Sequence, residues 1–437
     1  MNMQSFYLFL LLFSFLGCRD NKKPQQHLIK EKNIERPYYI DLICFCSLLI
    51  LSSCGGNTKQ SKKTFWDDCN VVATRQVING DTVIVCDPAL IRQKKNIPLD
   101  LLLEDFKIVK LDNSSEDALI SKRYAHTYVT NNYIGVVCYS YFPMKLFRKD
   151  GTFIREIGSI GQGPNEYNVI DYIDMDEKNN RIYILPFSAE HILVYDFNGN
   201  NYPKIKLPNR LLYGSTIKVY GDKKQVLITQ PISPNTEYYV WIQDFDGNVI
   251  QGAKQSDYFK NVTSFSESTI TRVRSGAIEL FNFGWPNGNE YLYHYNSLDN
   301  SLVPQFKVKG DDLDFNIVHE LPHQYVVEKA RSNGPGDENV RTLKYIVDKE
   351  TLKGCFFDGF ETPQGIVYGR YDLLYGMHGS YFTILDFSSE VNESIKEIKE
   401  ESLSPLQKEE LQKLKSLLPD NEDDNECSLL FVGKFKQ

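Results

Sequence analysis

Between residues 170 and 207 the apolar and aromatic side chains come in four short runs, 170–175, 182–185, 192–195 and 202–207, separated by polar turns at Glu177-Lys178-Asn179-Asn180, Ser188-Ala189-Glu190 and Asn198-Gly199-Asn200. Runs of this length broken by turn-forming residues predict four antiparallel strands joined by tight connections. The pattern then repeats. Asp150-Gly151, Asn198-Gly199 and Asp246-Gly247 each sit between two strand-like runs at successive spacings of 48 residues, and the position recurs at Asp299-Asn300 and Asp348-Lys349, 53 and 49 residues further on. An Asx-Gly pair between β-patterned runs is a hairpin turn. A period near fifty residues with four strands per repeat predicts the blades of a propeller, so the expected fold is all-β with four-stranded antiparallel blades.

Specific residues carry a resemblance beyond this periodicity. Leu146-Phe147-Arg148-Lys149-Asp150-Gly151, then Ile154-Arg155-Glu156-Ile157-Gly158, then Gly161-Gln162-Gly163-Pro164-Asn165-Glu166-Tyr167 resemble the signature of the six-bladed β-propeller lipoproteins of Bacteroidetes. Asp105-Phe106-Lys107-Ile108-Val109-Lys110-Leu111 resembles that family's opening strand, and the segment 429–435 its closing strand. The resemblance implies six blades over residues 97–437 and carries no catalytic residues with it. Leu185-Pro186 stands where the family has an aspartate.

Five turn positions account for five hairpins and leave one strand over at each end. The expectation is that the ring closes through a shared blade, the run 429–435 pairing with 106–111, because an open propeller would expose two unpaired sheet edges. Just before the closing strand, Ser404-Pro405-Leu406-Gln407 reads as a capping box with proline in the first helical turn. Leu411, Leu414 and Leu418 make one apolar stripe, and Pro419 stops this short helix.

The N-terminal part reads differently. Residues 38–51 form an apolar run preceded by Lys30, Lys32 and Arg36, too short to span a bilayer but of signal-peptide length. It ends in Leu51-Ser52-Ser53-Cys54, which resembles a bacterial lipobox and makes Cys54 the expected lipid anchor. A second apolar stretch, 5–17, ends in Leu16-Gly17-Cys18, so Cys18 is the alternative anchor. The expected organisation is an export region 1–54, a tether and N-terminal extension 55–96, and a propeller 97–437, with the protein exported and held on the outer membrane by lipid alone.

The net charge is -8, and the chain beyond residue 54 carries about -10. That balance argues against nucleic acid as a partner. Cys69, Cys86, Cys138, Cys355 and Cys427 contain no CxxC pair, so zinc and redox motifs are unsupported. Cys69 and Cys86 flank a hairpin pattern and would either bond in an oxidising compartment or stand as two unpaired apolar residues. Gly158, Gly161 and Gly163 superficially suggest a phosphate loop, but the following residues are β-patterned and offer no helix N-terminus; a turn needing positive φ is expected instead.

His319-Glu320-Leu321-Pro322-His323 has the spacing of a zinc helix, which Pro322 breaks. No nucleophile elbow occurs. Arg272, Arg274, Arg370 and Tyr371 are candidates for a polar binding face. The expected function is a monomeric, non-catalytic binding or scaffold module for a glycan, peptide or protein, with no metal and no cofactor. The alternative is a lactonase- or lyase-like enzyme with a metal in the channel, supported by fold analogy alone.

Overall fold

The chain divides into two units, 1–63 and 64–437. The computed structural model describes residues 64–437 except 122–124, 139–141, 260–267, 275–276, 284–290, 311–313, 332–340, 370–376 and 420–425, so Cys54 and Cys18 lie outside the described residues. The described residues form an all-β propeller. The first sheet holds Ala125–Val129, Tyr133–Cys138, Met144–Arg148 and Phe153–Ile157; the second Ile170–Asp176, Arg181–Pro186, His191–Tyr195 and Asn201–Lys206; the third Thr216–Tyr220, Gln225–Thr229, Tyr238–Asp244 and Val249–Lys254. Each is an antiparallel meander in sequence order.

Each of the five turns read from the sequence joins the third and fourth strands of a sheet. Gly151, Gly199 and Gly247 hold φ of +94°, +78° and +88°, values that favour glycine. In the second and third sheets an aspartate at the end of the third strand fixes the turn: Asp196 Oδ1 accepts from the N–H groups of Asn198 and Asn200, and Asp244 Oδ1 from those of Asp246 and Asn248.

The fourth sheet, built on Ser268–Arg274, Ala277–Phe283, Tyr291–Asn296 and Ser301–Val308, gains two strands from the N-terminal side. Asp81–Cys86 runs parallel to Ser301–Val308, and Ala73–Ile78 pairs with Asp81–Cys86. The fifth sheet, Asp314–Glu320, Gln324–Arg331, Arg341–Asp348 and Lys353–Phe356, gains Asn70–Val71. The part of the expected tether that is described, 64–96, is therefore largely built into the outer edges of two blades. Covering these edges satisfies backbone groups that would otherwise face solvent unpaired.

The blade count also differs from expectation. Among the described residues there are seven sheets of three or more strands, not six blades: a small sheet of Ile97–Pro98, Phe360–Glu361 and Val367–Tyr368 stands beyond the five hairpin sheets and the closing one. Its strands are two residues long, and one comes from far away in sequence, so it leaves no periodic trace.

The closing sheet matches the expected shared blade. Ser428–Phe435 lies between Tyr381–Phe387 and Leu103–Leu111, with Leu429 opposite Lys110, Leu430 opposite Val109 and Phe431 opposite Ile108. The Thr127 hydroxyl donates to Thr383 Oγ1 at 2.7 Å, linking the first strand of the first sheet to the closing sheet. The capped helix forms as Pro405–Lys415, where Ser404 Oγ accepts from Gln407 N–H and Gln407 Oε1 from Ser404 N–H, and it buries Leu411 and Leu414. A second helix, Ser388–Lys396, was not legible in the sequence and buries Val391 against the same core.

The core consists of layers between neighbouring sheets. Ile157, Tyr167, Ile173 and Tyr195 pack between the first and second, and Leu185, Ile205, Val226 and Trp241 between the second and third. Hydrophobic burial on both faces of every blade is what assembles meanders that would be unstable alone.

Candidate functional site

The signature residues form the connection between the first and second sheets. Gly158 has φ +73°, and a Cβ there would come within 2.7 Å of the Tyr167 ring and 2.8 Å of the Tyr195 hydroxyl. Gly158 therefore meets the expectation of positive φ, whereas Gly161 and Gly163 do not take positive φ. Both backbones pass against the Glu166 carboxylate, whose Oε2 accepts from Gly163 N–H at 2.8 Å. A side chain at either position would have to displace that carboxylate.

Ser159–Ile160 and Glu166–Tyr167 close the loop as a short parallel pair. Two buried tyrosines hold it down. The Tyr167 hydroxyl donates to the Ile157 carbonyl and accepts from Met144 N–H, while the Tyr195 hydroxyl donates to the Asn165 carbonyl at 2.7 Å. Burial raises both hydroxyls well above the usual range, that of Tyr195 to about 12, so both remain donors at physiological pH.

A shallow cleft opens on each side of this rigid loop. One, of about 290 Å³, is lined by Gln162, Phe187, Glu190, His191 and Lys204 among others. The other, of about 420 Å³, is lined by Arg155, Ser159, Asn165, Asn198 and Asn201. Lys204 Nζ donates to the loop carbonyl of Pro164, and Arg155 Nη1 reaches from the first sheet to the Asn198 carbonyl in the hairpin turn of the second.

Beside the first cleft two aromatic rings stand in solvent. Phe187 and Tyr213 are 51% and 44% exposed and meet edge to face, ring centroids 5.9 Å apart at 61°. Local chemistry explains their position. Pro186 ends its strand, Ser188 takes φ +54°, and Phe187 N–H is held by the Val169 carbonyl, which leaves the ring outside. Tyr213 precedes Gly214 at φ +82°, whose N–H donates to Asp171 Oδ1 at 3.2 Å. Burial pushes the Asp171 carboxyl up to about 7 against the opposing bonds from the Gly214 and Ser215 backbones.

The other sequence candidates do not join this site. Arg272 and Arg274 lie on Ser268–Arg274 in the fourth sheet, opposite Glu279 and Ala277, and Arg370 and Tyr371 fall outside the described residues. His319 is buried on a strand and His323 exposed in the turn after it, so the pair is not helical. Glu320 instead receives His294 Nε2 at 2.6 Å and the Lys349 ammonium. Its burial favours the neutral acid, but these two partners outweigh that and hold the carboxyl below its usual range. Among the described residues no group of three His, Cys, Asp or Glu side chains could hold a metal ion. Cys86 lies opposite Ala73 and packs in a different layer from Cys69, so the hairpin bond considered from sequence is not formed. Phe187 and Tyr213 escaped sequence reading; a bulky aromatic in a Pro-Phe-Ser or Tyr-Gly turn was the available signal.

Comparison with known proteins agrees with the fold. Residues 81–430 match the family model described as "Domain of unknown function (DUF4934)". A crystal structure of a Bacteroides fragilis NCTC 9343 protein whose description suggests export is similar at a TM-score of 0.56 and 15% identity, covering 81% of this chain and 100% of that one. A member of the duf4221 family from Bacteroides vulgatus ATCC 8482 aligns at 10% identity and a TM-score of 0.41, over 77% of this chain and 97% of its own. At 15% identity the likeness to the Bacteroides fragilis protein is one of fold. No curated protein matches the sequence.

Proposed function

The chain belongs to the DUF4934 family, and from that premise we propose that it is a non-catalytic binding or scaffold module, which engages a glycan, peptide or protein through the rim formed by Phe187, Tyr213 and the adjoining cleft. The observation that carries this reading is the exposed aromatic pair. Large apolar rings side by side in solvent forgo burial, and such rings bordered by polar groups characterise recognition surfaces. Gln162, Glu190, His191 and Lys204 supply hydrogen-bonding groups around them. The Tyr167 and Tyr195 anchors keep the loop in one conformation, which lowers the ordering cost of binding.

The same reading includes export and attachment to the outer membrane by lipid on Cys54, with Cys18 as alternative. The apolar run before Leu51-Ser52-Ser53-Cys54 supports it. Among the described residues no helix is long and apolar enough to cross a membrane.

The test is a glycan and peptide array probed with the wild type, Phe187→Ala and Tyr213→Ala. Ligands that bind the wild type are expected to lose at least tenfold in affinity with either variant, whereas a hit unaffected by both removes the rim from the proposal. Fatty-acid labelling tests the anchor: loss with Cys54→Ser supports it, and loss with Cys18→Ser alone transfers the anchor to Cys18.

A further inference from the structure

Cys69 and Cys355 are 286 residues apart in sequence and neighbours at the outer edge of the fifth sheet. Asn70–Val71 runs antiparallel to Lys353–Phe356 with Asn70 opposite Gly354 and Val71 opposite Lys353, and this register carried back one residue sets Cys69 opposite Cys355. Val72 N–H donates to the Leu352 carbonyl at 2.8 Å while Leu352 N–H turns back to the Asp348 carbonyl, so 72 and 352 stand at a hydrogen-bonding position of the ladder with one of its two bonds made. The two kinds of pair alternate along an antiparallel ladder, which makes 70 with 354 the same kind and 69 with 355 the other. In that other kind the Cα atoms stand about 4.5 Å apart with their side chains closer together. A disulfide needs Cα atoms roughly 4.4–6.8 Å apart.

The side chains agree with the ladder. The Cys69 and Cys355 thiols, both free in this structure, are buried in one hydrophobic layer together with Trp66 and Phe357, and the neighbouring Cys69 thiol adds to the burial that raises the Cys355 thiol.

We propose that Cys69 and Cys355 form a disulfide that clamps the segment 64–71 onto the fifth sheet, made by thiol–disulfide exchange with a small-molecule or protein disulfide while the chain folds. The Cys69 thiolate attacks one sulfur of the oxidant, whose S–S bond breaks and releases the first thiol. The Cys355 thiolate then attacks Cys69 Sγ in the mixed disulfide, forming the Cys69–Cys355 bond and releasing the second. The two cysteines lose two electrons and two protons, and the oxidant becomes two thiols. Burial pushes the Cys355 thiol up to about 12 in the folded protein, so the thiolate is available chiefly before this edge is covered. The supply of oxidant in the cell rests on the export proposed above. The pairing itself does not.

The experiment unfolds the purified protein in guanidinium with dithiothreitol and refolds it in oxidised and reduced glutathione. Alkylation with iodoacetamide and tryptic digestion without reduction follow. Cys69, Cys86 and Cys355 fall in separate peptides, 64–75, 76–92 and 354–370. The expected product joins 64–75 to 354–370 at a mass two hydrogens below their sum. Dithiothreitol is expected to lower the melting temperature of the refolded protein by at least about 4 °C, and Cys355→Ser to abolish that redox dependence; Cys69→Ala supplies the same readout if Cys355→Ser does not fold. A product joining 64–75 to 76–92, or recovery of 64–75 and 354–370 in alkylated form, overturns the proposal. If the bond forms on refolding but is missing from protein isolated from cells, the export reading fails and the pairing stands.

Discussion

The Tyr167 hydroxyl accepts from Met144 N–H at 2.9 Å and donates to the Ile157 carbonyl at 2.5 Å, and Met144 and Ile157 are themselves opposite each other in the first sheet. One phenol from the signature loop thus finishes the ladder of the preceding blade. Tyr167→Phe keeps the ring and leaves two buried backbone groups without their partner. The expected cost is about 2 kcal/mol, read as a lower urea midpoint at unchanged slope. An unchanged midpoint would show that the ring alone anchors the loop.

Gly151 is the turn residue most restricted by its surroundings. A Cβ there would lie 2.2 Å from the Lys110 carbonyl oxygen, which belongs to the strand Leu103–Leu111 of the closing sheet. Gly80 has a similar φ, +97°, with open space around it. Both Gly→Ala changes strain the backbone, so their difference isolates the clash. Gly151→Ala is expected to lose about 2 kcal/mol more than Gly80→Ala. Equal losses in parallel denaturation curves would mean that the two sheets separate without cost.

Asp171 links stability to pH. Its carboxyl titrates near 7 in the folded protein because of burial, against about 4 in an unfolded chain. Between those values the folded state holds more protons than the unfolded one, so stability falls as pH rises from about 4 to about 7 and is level beyond. Asp171→Asn keeps an acceptor oxygen for the Gly214 and Ser215 backbones and removes the charge. The variant is expected to lose less stability than the wild type between pH 5 and pH 8. Parallel profiles for the two proteins would refute a raised carboxyl.

Removal of residues 427–437 deletes the strand Ser428–Phe435 from between Tyr381–Phe387 and Leu103–Leu111, and exposes two edges inside the closing sheet. Loss of cooperative melting, or a fall in melting temperature of more than about 10 °C, is expected. A truncated protein melting within a degree or two of the full chain would place ring closure elsewhere.

Much of the fold was legible because its cause is local. An aspartate or asparagine, followed by glycine at three of the five positions, bends two or three residues into a hairpin whatever surrounds them, and all five turns appear where the pattern puts them. The pairing of 429–435 with 106–111 followed from strand arithmetic, since each end of the repeat held one strand without a partner. Ser404 and Gln407 cap a helix through bonds spanning three residues. The same locality limited the reading at Gly161 and Gly163: their spacing marked a tight loop, yet neither takes the expected positive φ, and the Glu166 carboxylate that lies against both is visible only once the loop is closed.

The sequence by itself determined the strand-turn repeat, the all-β class and the manner of ring closure, because strand alternation and turn chemistry act over a few residues. Tertiary structure alone decided that Asn70–Val71, Ala73–Ile78 and Asp81–Cys86 complete the edges of the fourth and fifth sheets, that a small sheet forms around Phe360–Glu361, that Cys69 faces Cys355 and not Cys86, and that Phe187 meets Tyr213. Each of these is a contact between segments from different parts of the chain, selected by which buried layer and which open sheet edge stands nearby, and such a choice leaves no periodic mark on the residues that make it.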